Sequence, residues 1–184
     1  QAAGWSVQGI DFDPIAVAEA RRQGLAVDLG GIDQLADQAQ TYDWITCSHV
    51  LEHVHDPQEL LHSMHRLLRP CGTLWLQTPN IDSIGHKTYG PYWRGLEPPR
   101  HLALMPLKAL CSTLKKVGFK TRPLRFPLFT AMAIHAASGA IHNDEENAIA
   151  LPHSRTLRLR FLLLALQQHW RLRDAEFHTV IATR

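Results

Sequence analysis

Two Asp-Pro pairs, Asp13-Pro14 and Asp56-Pro57, each stand just after a short apolar run and just before a helical pattern. An Asp side chain can accept the free N–H groups of a helix's first turn, and Pro at the first helical position sacrifices no hydrogen bond. The pairs therefore mark one event twice: a strand ends, the chain turns, and a capped helix begins. Trp5 to Ile10 reads as a strand closing at Asp11, and the helix from Pro14 runs to about Gln23 before Gly24 stops it. Leu25 to Leu29 is a short strand broken by Gly30-Gly31, and Tyr42 to Ser48 (YDWITCS) is a stronger one. After Asp56, Glu59 completes a capping box, and Leu60, Leu61, Met64, Leu67 and Leu68 share one helical face. Arg69-Pro70-Cys71-Gly72 ends that helix, and Thr73 to Thr78 is the next strand. Leu107, Leu110, Cys111, Leu114 and Val117 define another helix, stopped at Gly118. A strand over Phe119 to Phe126, interrupted at Pro123, and a last strand over Phe177 to Thr183 complete the pattern.

Strand–helix alternation with short connections implies an α/β fold: a parallel sheet with helices on both faces, in a single domain over residues 1–184. Ligands of such sheets bind outside the carboxyl ends of the strands, which selects Asp11–Phe12, Gly30–Ile32, Ser48–His53 and the chain after Thr78. Residues 79–105 break the alternation, mixing glycines and prolines with Tyr89, Tyr92 and Trp93. A loop of this length is expected to be functional. Residues 127–153 read as small, apolar and irregular, followed by a helix over Ser154 to Leu172.

Charge and cysteines exclude several classes. Lys+Arg is 19 against 17 Asp+Glu, a formal charge of +2, so there is no basic field for nucleic acid. The three cysteines, Cys47, Cys71 and Cys111, are widely spaced, which argues for a reducing, cytoplasmic setting rather than a disulfide scaffold. The apolar run Phe161 to Leu166 is too short to span a bilayer. The arginines around it leave two readings of residues 154–173: a helix lying on an anionic membrane surface, or a helix packed on the sheet.

Three constellations can carry chemistry. Asp11, at a strand end, can bind the hydroxyls of a ribose, with Phe12 against an adenine face; equally, Asp11 can simply cap the turn. In Ser48-His49-Val50-Leu51-Glu52-His53, a helical turn would put His49, Glu52 and His53 on one face. Such a set can hold a divalent metal or act as base and orienter, and it can also be only a polar helix start. In Pro98-Pro99-Arg100-His101, Arg100 can grip an anionic group and His101 can relay a proton, or both can face water on a rigid turn. Of the remaining histidines, His62 and His65 read as solvated, and the others, His135 and His178 among them, show no partner pattern.

These segments together resemble a known family. The order Gly9-Ile10-Asp11-Phe12-Asp13-Pro14, Cys47 to Val54, Asp56-Pro57 and Leu67 to Gly72 resembles class I S-adenosylmethionine-dependent methyltransferases. Thr78-Pro79-Asn80, Trp93-Arg94-Gly95-Leu96 and Pro99-Arg100-His101-Leu102 narrow the resemblance to a small-molecule branch that includes ubiquinone-biosynthesis O-methyltransferases. It covers residues 4 to about 125 and the last strand.

The resemblance implies a Rossmann-like sheet and S-adenosylmethionine as cofactor. Asp11, Phe12, Gly31, Ile32, Ser48 and His49 would contact it, with Gly31 standing where an acid commonly meets the adenine amino group. His49, His53 and His101 are the base candidates for transfer to an oxygen or nitrogen of a small-molecule acceptor, under a cap formed by residues 79–105 and lined by Tyr89, Tyr92 and Trp93. Glu52 and His53 match positions that bind magnesium in some relatives, where position 49 is an acid; here it is His49. Cys71 replaces a turn glycine. The family's first strand and glycine-rich loop have no counterpart after Gln1. That strand would lie between those ending at Asp11 and Ser48, so an N-terminally incomplete piece of a longer methyltransferase is expected. A non-catalytic, methyltransferase-like binding module and an NAD-dependent oxidoreductase are the alternatives.

Overall fold

The computed structural model describes residues 4–124, 128–143 and 171–184, with the isolated positions 159, 162, 163 and 166. The six strands are β1 (Gly9–Asp11), β2 (Val27–Leu29), β3 (Tyr42–Ser48), β4 (Leu68–Pro79), β5 (Lys120–Leu124) and β6 (Phe177–Thr183). The five helices are α1 (Pro14–Arg22), α2 (Pro57–Leu67), α3 (Ile84–Tyr89), α4 (Leu107–Val117) and α5 (Leu128–His142).

Both Asp-Pro caps form as the sequence predicts, but the expected capping box at Asp56 does not, because Glu59 Oε1 instead accepts from the Ser63 hydroxyl at 3.3 Å. Asp13 accepts from the Ile15 N–H at 2.8 Å, and Asp56 Oδ1 accepts from Gln58 and Glu59 N–H groups at 3.0 and 2.9 Å. Replacing Asp56 by Ala strands those two donors, so urea unfolding should show a loss of about 1 kcal/mol. Gly118 ends α4 in the left-handed region at φ +116°. Cys71 also stands there, at φ +66°, a region that favours glycine.

Leu51, Leu61, Met64, Leu74, Leu76, Leu110, Leu114 and Val180 form the main core between α2, α4 and the larger sheet. That sheet runs β3-β4-β6-β5, with β3 and β4 parallel and β6 antiparallel to both neighbours. The parallel pair β1–β2 forms a separate two-stranded sheet. The two sheets share no strand pairing among the described residues, and the resemblance places a further strand between β1 and β3. Among the described residues each of these two strands has a pairing partner on one edge only. The apolar side chains of Trp5, Phe12, Ile15, Leu29 and Trp44 are exposed.

Four sequence expectations need correction. The larger sheet is mixed rather than wholly parallel, because β6 runs antiparallel to β4 and β5. Residues 79–105 are not one irregular loop: Ser83 caps α3 within them by accepting the His86 N–H at 3.0 Å. Residues 127–153 are not wholly irregular, because α5 occupies Leu128–His142; its small residues let Ala136, Ala137 and Ala140 bury closely. The segment Arg69–Gly72 is not a turn between elements but the start of β4. The expected helix and membrane contact over residues 154–173 fall almost wholly outside the described residues. No described helix is long and apolar enough to cross a membrane.

Candidate functional site

The carboxyl ends of β3 and β4 carry the chemistry. β3 stops at Ser48, and the His49 N–H donates to the Gln77 carbonyl at 2.9 Å. His49 is thereby held at φ +54°, a conformation that non-glycine residues seldom adopt and that clusters at functional sites. A single 3₁₀ turn, Leu51–His53, follows and drives Glu52 inward until it is fully buried.

A buried carboxylate needs partners, and Glu52 has them. His49 Nδ1 lies 3.2 Å from its Oε1, and the Thr78 hydroxyl donates to its Oε2 at 3.0 Å. Burial pushes the Glu52 carboxyl up, but the His49, backbone and Thr78 hydrogen bonds outweigh it, so its pKa lies below the usual carboxylate value. The same hydrogen bond to Glu52 raises the His49 pKa against the effect of burial. Nδ1 is turned to Glu52, the Gln77 side chain also hydrogen-bonds the ring, and the His49 side chain is 41% exposed. That is the arrangement of a base and its orienting group. The ring also packs edge-on against Phe177, at 4.8 Å between centroids.

His53, exposed, and His101, whose side chain is 5% exposed, lie beside this pair. Their rings meet edge-on at 4.8 Å. His53 Nδ1 faces the Arg100 carbonyl at 3.0 Å, and His101 Nδ1 faces the Gly95 carbonyl at 2.7 Å. Glu52, His53 and His101 each bring a ligand atom within 4.8 Å of the others. The expected metal set of His49, Glu52 and His53 is not the one that closes; His101 takes the place of His49. Arg100 grips no open anion subsite: it pairs with Glu97 at 3.3 Å, as Arg94 does at 2.9 Å.

Asp11, Phe12, Gly31 and Ile32 gather at the ends of β1 and β2. Asp11 Oδ1 accepts the Asp13 N–H at 2.8 Å, so the capping role is real; it occupies one of two carboxylate oxygens. Phe12 is 71% exposed and offers an open ring face. A Cβ at Gly31 would lie 2.5 Å from the Asp33 carboxylate and 2.9 Å from the Phe12 ring. Asp33 therefore fills the space an acid at position 31 would use, a substitution the sequence reading missed because it lies two residues downstream. Ile32 packs against the main core.

Trp93 does not line a cavity. It is buried, and its indole N–H donates to Glu176 Oε2 at 2.6 Å. Tyr92 is exposed against His142, and Tyr89 lies beside His135. Cys47 is buried, and burial pushes its thiol pKa up to about 12, which removes it as a nucleophile. His65, expected in solvent, packs edge-on against Phe119.

His178 on β6 was invisible in the sequence because its burial depends on strand pairing. Only 2% exposed, it has no well-placed hydrogen-bond partner at either ring nitrogen among the described residues. Burial lowers its pKa from 6.5 to about 4, and the Met105 backbone and Asp82 charge offset this only in part. Between those values the unfolded chain takes up a proton that the folded chain refuses. Stability should therefore fall as pH drops from about 6.5 to about 4, by roughly 3 kcal/mol from this group. Chemical denaturation of wild type and His178→Phe across that range checks it: the variant should lose this part of the slope.

Comparison with known proteins matches the chain to a family model described as a methyltransferase domain, over residues 1–124. A ubiquinone biosynthesis O-methyltransferase of Pseudomonas paraeruginosa is 40% identical over 84 residues, covering 42% of this chain and 36% of that protein. The enzyme of the same description from Salmonella paratyphi A is 33% identical over 84 residues, covering 42% and 35%. The chain thus matches only about a third of the length of these curated relatives. A SAM-dependent methyltransferase from Archaeoglobus fulgidus has the same fold, with a TM-score of 0.62, 17% identity, and coverage of 98% of this chain and 77% of that one.

Proposed function

Because the chain belongs to the methyltransferase-domain family, we propose that it serves S-adenosylmethionine-dependent methyl transfer to an oxygen of a small-molecule acceptor, with His49 as the base. The observation that carries the base assignment is the His49–Glu52 pair: Nδ1 at 3.2 Å from a fully buried carboxylate, on a side chain that is 41% exposed. S-adenosylmethionine would supply an electrophilic methyl carbon: its C–S bond would break as the acceptor oxygen forms the new C–O bond, with S-adenosylhomocysteine as the leaving group.

The residues present suit that cofactor. Asp11 keeps one oxygen for a ribose hydroxyl, Phe12 offers its face to adenine, and Asp33 stands ready for the adenine amino group. Ser48 and His49 border the methionine end. His49 Nε2 takes the acceptor proton, and Glu52 stabilises the resulting imidazolium, as an acid beside a catalytic imidazole does. Oxygen is preferred over nitrogen because a hydroxyl must lose its proton in the reaction, which gives this dyad work to do. The names of the relatives point the same way, toward a phenolic oxygen of the kind found in quinone precursors. These likenesses favour methyl transfer over the dinucleotide-dependent alternative.

Calorimetric titration with S-adenosylmethionine, then transfer of labelled methyl to a catechol, tests the reading. Binding and O-methylation are expected, and Asp11→Ala should weaken binding. Unchanged affinity in Asp11→Ala removes the ribose assignment. Cofactor binding without transfer to oxygen supports the second reading, a methyltransferase-like binding module. Running the same titration on a longer chain that carries an upstream strand and glycine-rich loop tests whether such a segment completes the site; tighter binding is the expected result.

A further inference from the structure

The resemblance implies magnesium at positions 49, 52 and 53, and the residues here do not fit it. Magnesium demands near-octahedral oxygen ligation and keeps its waters. The groups that converge are one carboxylate and two imidazoles, the donor set of a borderline ion. From this disagreement we infer that Glu52, His53 and His101 form a site for a transition-metal ion of the zinc or cobalt type, with His101 as a ligand in place of His49.

The tautomers argue for it. A backbone carbonyl can only accept, so His53 Nδ1 carries its proton toward Arg100, and His101 Nδ1 carries its proton toward Gly95. Both Nε2 atoms then present lone pairs. Anchoring Nδ1–H on a carbonyl is how metal-binding histidines are usually oriented. Glu52 adds a buried anion whose oxygens, though bonded to His49 and Thr78, keep lone pairs for a cation. The ligand atoms lie within 4.8 Å of one another, and a tetrahedral shell needs about 3.3 Å between ligands. His53 is exposed, and swinging its ring about the Nδ1 hydrogen bond to Arg100 narrows the difference. Three protein ligands leave a position open for water.

The competing account pairs a protonated His101 with Glu97, whose Oε2 lies 3.7 Å from His101 Nε2. Glu97 already binds Arg94 and Arg100, so its charge is met without His101. The site stands independently of the methyl-transfer reading, because the metal can be read without cofactor or acceptor.

The test is cobalt(II) added to chelator-treated full-length chain, followed by its visible d–d absorption. A single bound ion with four- or five-coordinate bands is expected, displaced by zinc and not by a large excess of magnesium. His53→Ala and His101→Ala should each weaken binding by more than the roughly 10- to 100-fold typical of losing an outer-shell partner. His62→Ala should bind as wild type does. Bands that survive His53→Ala, or magnesium displacing cobalt as readily as zinc, would overturn the site. His53 is exposed, so its variant folds and decides the matter even if His101→Ala does not.

Discussion

His49→Ala is expected to lower kcat for methyl transfer by about 10²–10⁴-fold, the usual contribution of a positioned general base. Cofactor affinity should fall less than the rate, because the proposed nucleoside contacts lie with Asp11, Phe12 and Asp33, and His49 borders only the methionine end. The argument is geometric. The His49 backbone is fixed by its N–H bond to Gln77 and sits at φ +54°, so the ring cannot drift far from Glu52. Removing the ring leaves a fully buried carboxylate with the Thr78 hydroxyl still bound, so the fold should survive. Single-turnover kinetics beside cofactor titration separates the two effects. An unchanged rate at saturating acceptor would remove His49 as the base and return the role to His53 or His101.

Glu176→Ala is expected to cost about 3–5 kcal/mol of stability, the range for removing one partner from a buried ionic network. Glu176 is fully buried at the entrance to β6. Its Oε1 accepts the Gly85 N–H at 2.9 Å, and its Oε2 accepts the Trp93 indole N–H at 2.6 Å. His135 Nε2 lies 3.5 Å from Oε1. One side chain thus ties β6 to α3, to the Trp93 turn and to α5. Truncation strands two donors where water does not reach and leaves a void as well. Gly85→Ala should cost comparably, since a Cβ there would stand 2.5 Å from both carboxylate oxygens. Urea unfolding measures both, and a double-mutant cycle with Trp93→Phe isolates the indole bond. A loss under about 1 kcal/mol for Glu176→Ala would mean that the segment holds without its anchor.

Much of the fold was legible because its signals are local. Asp13-Pro14, Asp56-Pro57 and Gly118 act through the next few backbone groups, and α1, α2 and α4 begin and end close to where those residues stand. YDWITCS and FHTVIAT became β3 and β6 over the same residues. The site was legible in part. Its segments were found by the rule that ligands gather at the carboxyl ends of strands, but the pairings within it were not. Spacing put His49, Glu52 and His53 on one helical face; the chain makes a 3₁₀ turn there instead, entered from a left-handed His49.

The sequence by itself determined the alternation of strands and helices, the parallel β3–β4 edge that presents Ser48 and His49, and the family, because capping, periodicity and motif order are properties of neighbouring residues. Only the tertiary structure decided that Glu52 is buried, that His101 returns to it from 49 positions away, that Asp33 fills the space beside Gly31, and that Glu176 and His178 lie in the interior. Each depends on which distant segments the sheet brings together, and burial, which sets the charge and partners of these groups, exists only once they have met.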